Sequence, residues 1–234
     1  MSAAIREALE ETTSDPVVRE QLARYLEALL AANGTLNLTS ARDPQAAAAH
    51  VNDSLGLLPY VTGPFVDVGS GGGFPAIPLV IVTGARATLI ESVAKKARFL
   101  LEVVRQLGLP VEVRAERAED AARDPELRER FAAATARAVG SAPTVIELTL
   151  PFLAIGGLAV LQRGKLEEPE RIAAADAALV LGGEIEAELP VDDPEARERR
   201  LLLVRKTVPS GPRFPRRAGV PAKRPLCFEA GGDG

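Results

Sequence analysis

Four glycines occupy positions 69, 71, 72 and 73 within the stretch FVDVGSGGGFPAIP, which covers residues 65–78. Apolar residues precede and follow them. Glycine loses more conformational freedom on folding than any other residue, and a tight turn needs only one or two. A cluster this dense indicates that something must approach the backbone closely. A strand that ends in such a loop and opens a helix is typical of a site that cradles a nucleotide or a related cofactor.

The spacing of these glycines argues against two common nucleotide motifs. A dinucleotide fingerprint needs glycines at the first, third and sixth positions of G-x-G-x-x-G, and Phe74 occupies the sixth position counted from Gly69. The same phenylalanine disfavours an NAD-dependent dehydrogenase. The chain has no G-x-x-x-x-G-K-[ST] sequence, which excludes a P-loop. The remaining cofactor that fits is S-adenosylmethionine, and we expect Gly69, Gly71 and Gly73 to approach it.

Acidic residues follow the next two predicted strands. Glu91 ends one of them, 22 residues after Gly69, and its carboxylate could accept both hydroxyls of a ribose. The start of the following helix could equally stabilise this charge, and the two roles are compatible. Glu119 lies in the charged segment 116–120 and could hold the exocyclic amine of adenine. A segment of this kind is, on its own, more often solvated surface.

The chain has one histidine and one cysteine, which restricts metal and acid–base chemistry. A structural zinc site needs four ligands, mostly Cys and His, so we expect no metal. His50 lies on a predicted helix close to Asp53, and we expect it to pack or to form hydrogen bonds rather than to catalyse. Cys227 has no partner for an internal disulfide, which suits a reducing cytosol.

After Gly63, short apolar runs alternate with helical segments. This alternation predicts parallel βαβ units in a doubly wound α/β sheet of the Rossmann type. The short link at 190–194 predicts that the last two strands form an antiparallel hairpin, so the seven-stranded sheet is mostly parallel. Strands are predicted at 65–68, 87–91, 111–115, 134–138, 157–162, 184–189 and 200–205, and the clearest helices at 93–107 and 167–181.

The first 62 residues are predicted to be helical. One helix begins at Asp15-Pro16 and ends at Asn33-Gly34, and a second covers 44–58 before Pro59. We therefore expect an N-terminal helical extension at 1–62, a cofactor-binding domain at 63–207 and a Pro/Arg-rich tail at 208–234. No segment has the pattern of a signal peptide or a membrane span, which predicts a cytoplasmic protein without a membrane partner.

Charge is unevenly distributed along the chain. The net charge is −4, yet seven basic residues and no acidic ones lie between Arg205 and Arg224. Such asymmetry indicates a polyanionic partner, and a merely solvated tail is the alternative. The candidate contacts to a polyanion are Arg137, Lys165, Arg213, Arg216, Arg217 and Lys223.

Several short segments occur in a specific order along the chain, and together they resemble the RsmG family, also called GidB (glucose-inhibited division protein B). The resemblance extends from about Asn37 to Leu226. It implies a cytoplasmic enzyme with a class I methyltransferase fold that uses S-adenosylmethionine to methylate ring nitrogen seven of a guanine in 16S ribosomal RNA. The implied partner is that RNA or the small ribosomal subunit, and we expect a monomer. The segments are NLTS (37–40), HVNDSL (50–55), DVGSGGGFPAIPL (67–79), LIESVAKK (89–96), RAE (117–119), ARA (136–138) and PRFPRRAGVPAKRPL (212–226).

The same resemblance implies where the cofactor is bound. Three positions depart from the usual pattern: Ala32 replaces a tryptophan, Ala76 a glycine and Ala136 a serine, and none changes the glycine spacing. Arg137 could bind a carboxylate of the cofactor or a phosphate of the RNA. The implied cofactor contacts are Gly69, Phe74, Glu91, Ser92, Val93, Ala118, Glu119 and Arg137.

The sequence identifies no catalytic group for this reaction. Nitrogen seven of guanine has a lone pair and no proton, so methyl transfer to it needs alignment rather than a general base. The group that stabilises the cationic product is not evident. Two further functions remain open: a methyltransferase for another RNA, a protein or a small molecule, and a non-catalytic RNA-binding scaffold. The basic segment argues against a small-molecule substrate, and the intact glycine loop with Glu91 argues against a scaffold.

Overall fold

The computed structural model describes residues 2–137, 139–191 and 199–227. A seven-stranded sheet with the order β3-β2-β1-β4-β5-β7-β6 forms its centre. Strands β1 to β5 are parallel, and β7 lies antiparallel between β5 and β6. The predicted fold class and the terminal hairpin are confirmed. The strands are β1 (Phe65–Val68), β2 (Ala87–Ile90), β3 (Val111–Arg114), β4 (Phe131–Arg137), β5 (Leu153–Gly164), β6 (Gly183–Pro190) and β7 (Arg199–Lys206).

Helices cover both faces of this sheet. Alternate strand residues contribute to two apolar clusters, and β1 is buried on both sides, as expected for a central parallel strand. Helices α2 to α5 pack in the first cluster, and α6 to α8 pack in the second. The helices are α1 (Ser2–Ala8), α2 (Pro16–Leu36), α3 (Pro44–Leu55), α4 (Ala76–Thr83), α5 (Ala94–Leu107), α6 (Ala118–Ala121), α7 (Ala142–Thr149), α8 (Glu168–Val180) and α9 (Val220–Lys223), with a 3-10 turn at Leu150–Phe152.

Helix α2 continues past the Asn33-Gly34 pair that was expected to end it. It ends three residues later, where Asn37 adopts a left-handed conformation and its N–H donates to the Asn33 carbonyl. The buried Asn33 amide instead holds the next loop: Nδ2 donates to the carbonyls of Thr39 and Ala41, and Oδ1 accepts from the N–H groups of Leu38 and Thr39. The NLTS loop is thereby fixed against α2.

The segment after β7 packs against the domain and is not an extended tail up to residue 227. Phe214 is buried, and the Arg128 guanidinium donates to the carbonyls of Phe214 (2.8 Å) and Ser210 (2.9 Å). Prolines disfavour the interior of a helix, yet this segment forms the short helix α9, which begins at Val220 with Pro221 in its first turn. The expected domain boundaries at 62/63 and 207/208 remain predictions.

Helix α1 lies within the predicted helical extension, although no separate helix was specified there, and it contributes Ile5 to the first apolar cluster. Among the described residues, no helix combines the length and the apolar character that crossing a bilayer requires.

Candidate cofactor and substrate site

A cavity of about 710 Å³ opens at the carboxyl ends of β1, β4 and β5. The strand order reverses between β1 and β4, and doubly wound sheets bind their ligands at this switch point. The glycine loop and the residues that follow β4 form one side of the cavity. The NLTS loop, helix α3, the end of β5 and the start of β7 form the other. The lining includes 37–40, His50, Asp53, 69–72, Phe74, Lys96, 136–137, 139–140, Val145, 161–164, Val191 and 199–200.

The four glycines of the loop serve different purposes. A Cβ on Gly72 would lie 2.9 Å from the Leu29 side chain, and a Cβ on Gly73 would lie 2.6 Å from Ile77. These two positions are therefore glycine because α2 and α4 pack closely against the loop. Gly73 does not line the cavity, so packing accounts for this glycine and its approach to the cofactor stays a prediction.

Gly69 and Gly71 both adopt left-handed conformations, with φ values of 73° and 54°. A Cβ on Gly69 would lie 2.8 Å from Val139, which follows β4. A Cβ on Gly71 would meet no protein atom within 3.8 Å and would enter the cavity. Gly71 is thus the position at which a side chain would take the space of a bound ligand.

Tyr25 holds the glycine loop from the N-terminal helices. Its hydroxyl donates to the Gly72 carbonyl at 2.9 Å, and the residue is fully buried. Burial raises the pKa of Tyr25 well above its usual value, so the phenol remains a donor. The helical extension therefore supports the loop as well as forming the opposite wall.

The Glu91 carboxylate joins the glycine loop to the start of α5. Oε2 accepts from the Gly71 N–H at 2.8 Å, and Oε1 accepts from the Val93 N–H at 2.7 Å. The alternative role near a helix start is therefore present in the structure. Each oxygen retains a second lone pair, so contact with a ribose stays a prediction. Ser92 and Val93 are exposed next to it, outside the cavity lining.

Asp67, which sequence reasoning missed, lies next to the glycine loop and outside the cavity lining. It is buried in β1 directly before the glycine loop, and its Oδ1 accepts from the Thr135 hydroxyl at 2.7 Å. Its Oδ2 has no partner among the described residues. Burial raises the pKa of Asp67 to about 6, against the opposing hydrogen bonds of Thr135 and Ser70. A carboxylate inside a buried strand before a glycine loop was the available sequence signal.

Phe74 supports Arg137. The Arg137 guanidinium carbon lies 4.8 Å from the centre of the Phe74 ring. The same ring makes edge-to-face contacts with Tyr25 and His50, at centroid distances of 5.4 and 5.5 Å. Burial lowers the pKa of Arg137, while Tyr25, Asp53 and Asp67 oppose that shift. No hydrogen bond joins the guanidinium to any described residue, so its donors are available for an anionic group in the cavity.

Asp53 lies in the opposite wall on α3. Arg199 of β7 forms an ion pair with its Oδ2, which is also 3.7 Å from His50 Nδ1. Burial alone would raise the pKa of Asp53, but the proximity of His50 and the charges of Arg199 and Arg137 lower it overall. Asp53 is therefore ionised at neutral pH.

His50 Nε2 lies 3.3 Å from the Ser40 hydroxyl and the ring packs on Phe74. These contacts match the packing and hydrogen-bonding role expected for this histidine.

Basic residues line this cavity in addition to the one predicted. Sequence reasoning missed Arg163, Arg199 and Arg200 because they come from separate strands that only the antiparallel β5–β7 pairing brings together. Lys165 is exposed one residue beyond the lining. The cations of the lining are Lys96, Arg137, Arg163, Arg199 and Arg200.

Glu119, the acid expected near adenine, is bound by the C-terminal segment. Its Oε1 accepts from the Gly219 N–H at 2.7 Å and from Arg117 at 3.1 Å. Glu119 and the neighbouring Ala118 are both buried and lie outside the cavity lining. Their contact with adenine stays a prediction.

Arg216, a candidate RNA contact, is already engaged within the protein. Its guanidinium forms a two-pronged ion pair with Glu147 of α7, which has no exposed surface, and its N–H donates to the same carboxylate. The side chains of Arg213, Arg217 and Lys223 are exposed and remain candidates for RNA binding.

The residues present fit an adenosine cofactor that carries an amino acid group. Gly71 leaves space at the loop, Asp67 Oδ2 lacks a donor that an ammonium group supplies, and Arg137 has free donors for a carboxylate. Solved structures agree with this fold. An O-methyltransferase from Bacillus cereus in complex with SAH superposes with a TM-score of 0.58 over 88% of this chain and 100% of that one, at 17% identity. Cofactor-bound Rv0187 from MTB gives 0.56 over 79% and 91%, at 19% identity. The fold and the site define a class I S-adenosylmethionine-dependent methyltransferase.

Relatives with higher sequence identity identify the family to which the chain belongs. Residues 18–198 match the GidB family model, described as rRNA small subunit methyltransferase G. The protein of that name from Chloroflexus aggregans is 43% identical over 88% of this chain and 89% of its own length. The one from Synechococcus elongatus is 40% identical over 90% and 91%. The chain belongs to the GidB family.

Proposed function

We propose that this protein transfers a methyl group from S-adenosylmethionine to ring nitrogen seven of a guanine in 16S ribosomal RNA, in the cytoplasm. The relatives at about 40% identity carry the name ribosomal RNA small subunit methyltransferase G. The observation that carries the proposal is the composition of one cavity, in which the glycine loop faces a wall with several arginines. Two of these arginines also pair with carboxylates, Arg163 with Glu170 and Arg199 with Asp53, but the cavity lining keeps more cations than acids. Such a surplus of positive charge suits RNA phosphates, whereas a small-molecule methyltransferase has no evident need for it.

The residues on the β1–β4 side hold the cofactor. Bound S-adenosylmethionine supplies an electrophilic methyl group on a sulfonium. Asp67 Oδ2 accepts a hydrogen bond from the ammonium group of the cofactor. The Glu91 carboxylate, already oriented by two backbone N–H groups, accepts hydrogen bonds from the ribose hydroxyls. Arg137 offers its free donors to a carboxylate or to an RNA phosphate.

The chemistry requires alignment and charge stabilisation, and the site residues are arranged for both. Guanine nitrogen seven carries a lone pair, so no residue has to remove a proton, and His50 is engaged by Ser40 and Phe74. Alignment alone can lower the barrier of an in-line displacement by about 7–11 kcal/mol. The purine becomes positively charged as the methyl group is transferred, and the ionised Asp53 in the same cavity stabilises that charge.

The direct test is methylation of small ribosomal subunits that lack this modification. The purified protein and labelled S-adenosylmethionine are added either to intact subunits or to the naked 16S RNA extracted from them. Mass spectrometry of the digested nucleosides then identifies the methylated atom. We expect label only in N7-methylguanosine, and the comparison of the two substrates identifies the form that the protein binds. Label in another nucleoside or in ribosomal protein would overturn the proposal.

A further inference from the structure

Side-chain polar atoms without partners are concentrated at the cavity. Among the described residues, His50 Nδ1, Asp67 Oδ2, Gln162 Oε1 and Arg163 Nε are buried and form no hydrogen bond. His50, Gln162 and Arg163 line the cavity, and Asp67 lies in β1 directly before its glycine loop. Buried polar groups are nearly always paired, so orphaned atoms that converge on one cavity indicate a ligand that completes them.

Two neighbouring residues in the wall opposite the glycine loop carry hydrogen-bond acceptors. Gln162 Nε2 donates to the Asp53 backbone carbonyl at 2.9 Å, which fixes the amide and leaves Oε1 without a donor. Arg199 holds Oδ2 of the Asp53 carboxylate. No described residue donates to Asp53 Oδ1. The wall therefore offers a carboxylate oriented by Arg199 and an amide oxygen oriented by the bond from Gln162 to the backbone of the same Asp53.

We propose that Asp53 and Gln162 recognise the guanine by accepting hydrogen bonds from its N1–H and N2–H₂ groups. This inference rests on the proposed function, because it assumes that a guanine enters the cavity. Enzymes that act on an extruded base read its Watson–Crick edge in this way. Guanine presents two neighbouring donors on that edge, whereas adenine presents a lone pair at N1, which a carboxylate repels.

The position of this wall suits methylation at nitrogen seven. Gln162 pairs with Arg137 of β4, and Ala136 of β4 pairs with Val68 at the end of β1. Two strand spacings, about 10 Å, therefore separate Gln162 from the glycine loop. A purine held at N1 and N2 by the wall directs nitrogen seven away from it, toward the loop.

The same contact favours the transition state. As nitrogen seven gains the methyl group, the purine becomes cationic and its N1–H becomes a stronger donor. A hydrogen bond from N1–H to the ionised Asp53 strengthens at that moment, which is the kind of interaction that raises the rate. Asp53 thus combines base selection with charge stabilisation.

The test compares nucleotides that differ in a single donor. Calorimetry with the full chain and saturating S-adenosylhomocysteine measures the affinity for 5′-GMP, for 5′-IMP, which lacks the N2 amino group, and for 7-deaza-GMP, which lacks nitrogen seven. We expect IMP to bind about 10- to 100-fold more weakly than GMP, as for a lost hydrogen bond to a charged or buried acceptor, and 7-deaza-GMP to bind like GMP.

Variants assign this discrimination to the wall. Asp53→Asn keeps the shape but replaces the acceptor for N1–H, a group that both nucleotides carry, so the affinities for GMP and IMP should fall together while S-adenosylhomocysteine affinity stays unchanged. Gln162→Met should reduce the GMP-to-IMP ratio without touching the carboxylate. Glu188→Gln, which breaks an ion pair with Arg171 outside the cavity, is the matched control and should keep the wild-type ratio.

A purely structural effect of Gln162→Met would weaken both nucleotides together, so the ratio separates recognition of the N2 amino group from structure. The inference is overturned if wild-type protein does not bind GMP more tightly than IMP, if Gln162→Met keeps the wild-type ratio, or if Asp53→Asn leaves the affinities for both nucleotides unchanged. Formation of N7-methylguanosine in ribosomal subunits by the wild-type protein is scored separately. If it persists while the nucleotide ratio is one, base recognition lies elsewhere and the proposed function stands. If it never forms, the proposed function fails.

Discussion

A methyl group added at Gly71 should block the cofactor without disturbing the fold. In Gly71→Ala the new Cβ meets no protein atom within 3.8 Å, and the backbone N–H remains available to Glu91. Its φ of 54° makes alanine strained, at a cost of about 1–2 kcal/mol. Gly84→Ala is the matched control, because Gly84 ends α4 with a φ of 67° and open space around its Cβ.

The two variants should be equally destabilised but bind the cofactor differently. For a chain of this size, the shared strain lowers the melting temperature by roughly 2–8 °C in both. Forcing a bound ligand off one methyl-sized volume costs about 1–3 kcal/mol, which is about 5- to 150-fold in affinity for Gly71→Ala alone. Calorimetry with S-adenosylhomocysteine measures that difference, and Gly71→Val should enlarge it. If Gly71→Ala and Gly84→Ala bind the cofactor equally well, the glycine loop is not its cradle.

Three further predictions concern charge. Asp67→Asn keeps the acceptor for Thr135. Burial raises the pKa of Asp67 from an unfolded value of about 3.9 to about 6, so the protonated carboxyl stabilises the fold below pH 4. This contribution, at most about 3 kcal/mol, is lost as the pH rises through 6. Thermal melts without cofactor should therefore favour the variant more at pH 8 than at pH 5, and a difference independent of pH would contradict a buried carboxylate. Arg216→Met leaves Glu147 buried without its partner and should lower the free energy of unfolding by about 3–5 kcal/mol, as measured by chemical denaturation. The control Arg217→Met should change that free energy by less than about 0.5 kcal/mol. Equal losses in the two variants would contradict the ion pair. The last variant, Arg213→Gln, Arg217→Gln, Lys223→Gln, neutralises three of the four exposed cations of the basic segment. In a salt titration of RNA binding it should flatten the slope of log K against log salt by about 2, at about 0.7 for each phosphate released, with cofactor affinity unchanged. Equal slopes would show that these three cations do not contact RNA.

The fold was predictable where local sequence marks its boundaries. β1 lies between Pro64 and the glycine loop, and its predicted bounds are the observed ones. β4 begins at Phe131, three residues earlier than expected, because its alanines have little strand propensity of their own. Pairing of Ala133 with Phe65 of β1 decides that segment, and no local pattern reports such pairing.

The end of α2 shows the same limit in a helix. Asn-Gly is a strong local signal for termination, but the Asn33 amide forms four hydrogen bonds with the loop that follows the helix. Those bonds require Asn33 to remain on the last turns of α2. Tertiary hydrogen bonding therefore outweighs local propensity at this position.

Half of the candidate site was visible in the sequence and half was not. The glycine loop and Glu91 are contiguous with predicted strand ends, so topology alone places them at the carboxyl edge of the sheet. The wall of Asp53, Gln162 and Arg199 comes from α3, β5 and β7, which meet only because β7 inserts antiparallel beside β5. Asp67 was hidden because a central strand buried on both faces has no alternation to distinguish a functional carboxylate.

The basic segment shows why a count of charges misjudges a surface. Of its seven cations, Arg205 pairs with Glu186, Lys206 is buried against Glu129, and Arg216 pairs with Glu147. Glu147 was the sequence signal, because a single acid in the apolar helix APTVIELT requires a buried counter-charge.

These internal pairs change what the exposed cations can do. The Arg216–Glu147 ion pair and the Gly219–Glu119 hydrogen bond fix the backbone that carries Arg213, Arg217 and Lys223. The entropic cost of ordering this backbone is therefore incurred when the protein folds and not when it binds a partner. A polyanion that contacts these cations meets a preorganised surface, and the same segment touches the acid predicted to hold adenine. We predict that Glu119 also holds adenine, so a variant that releases the segment should weaken both cofactor and RNA binding, whereas neutralising the exposed cations should weaken only RNA binding.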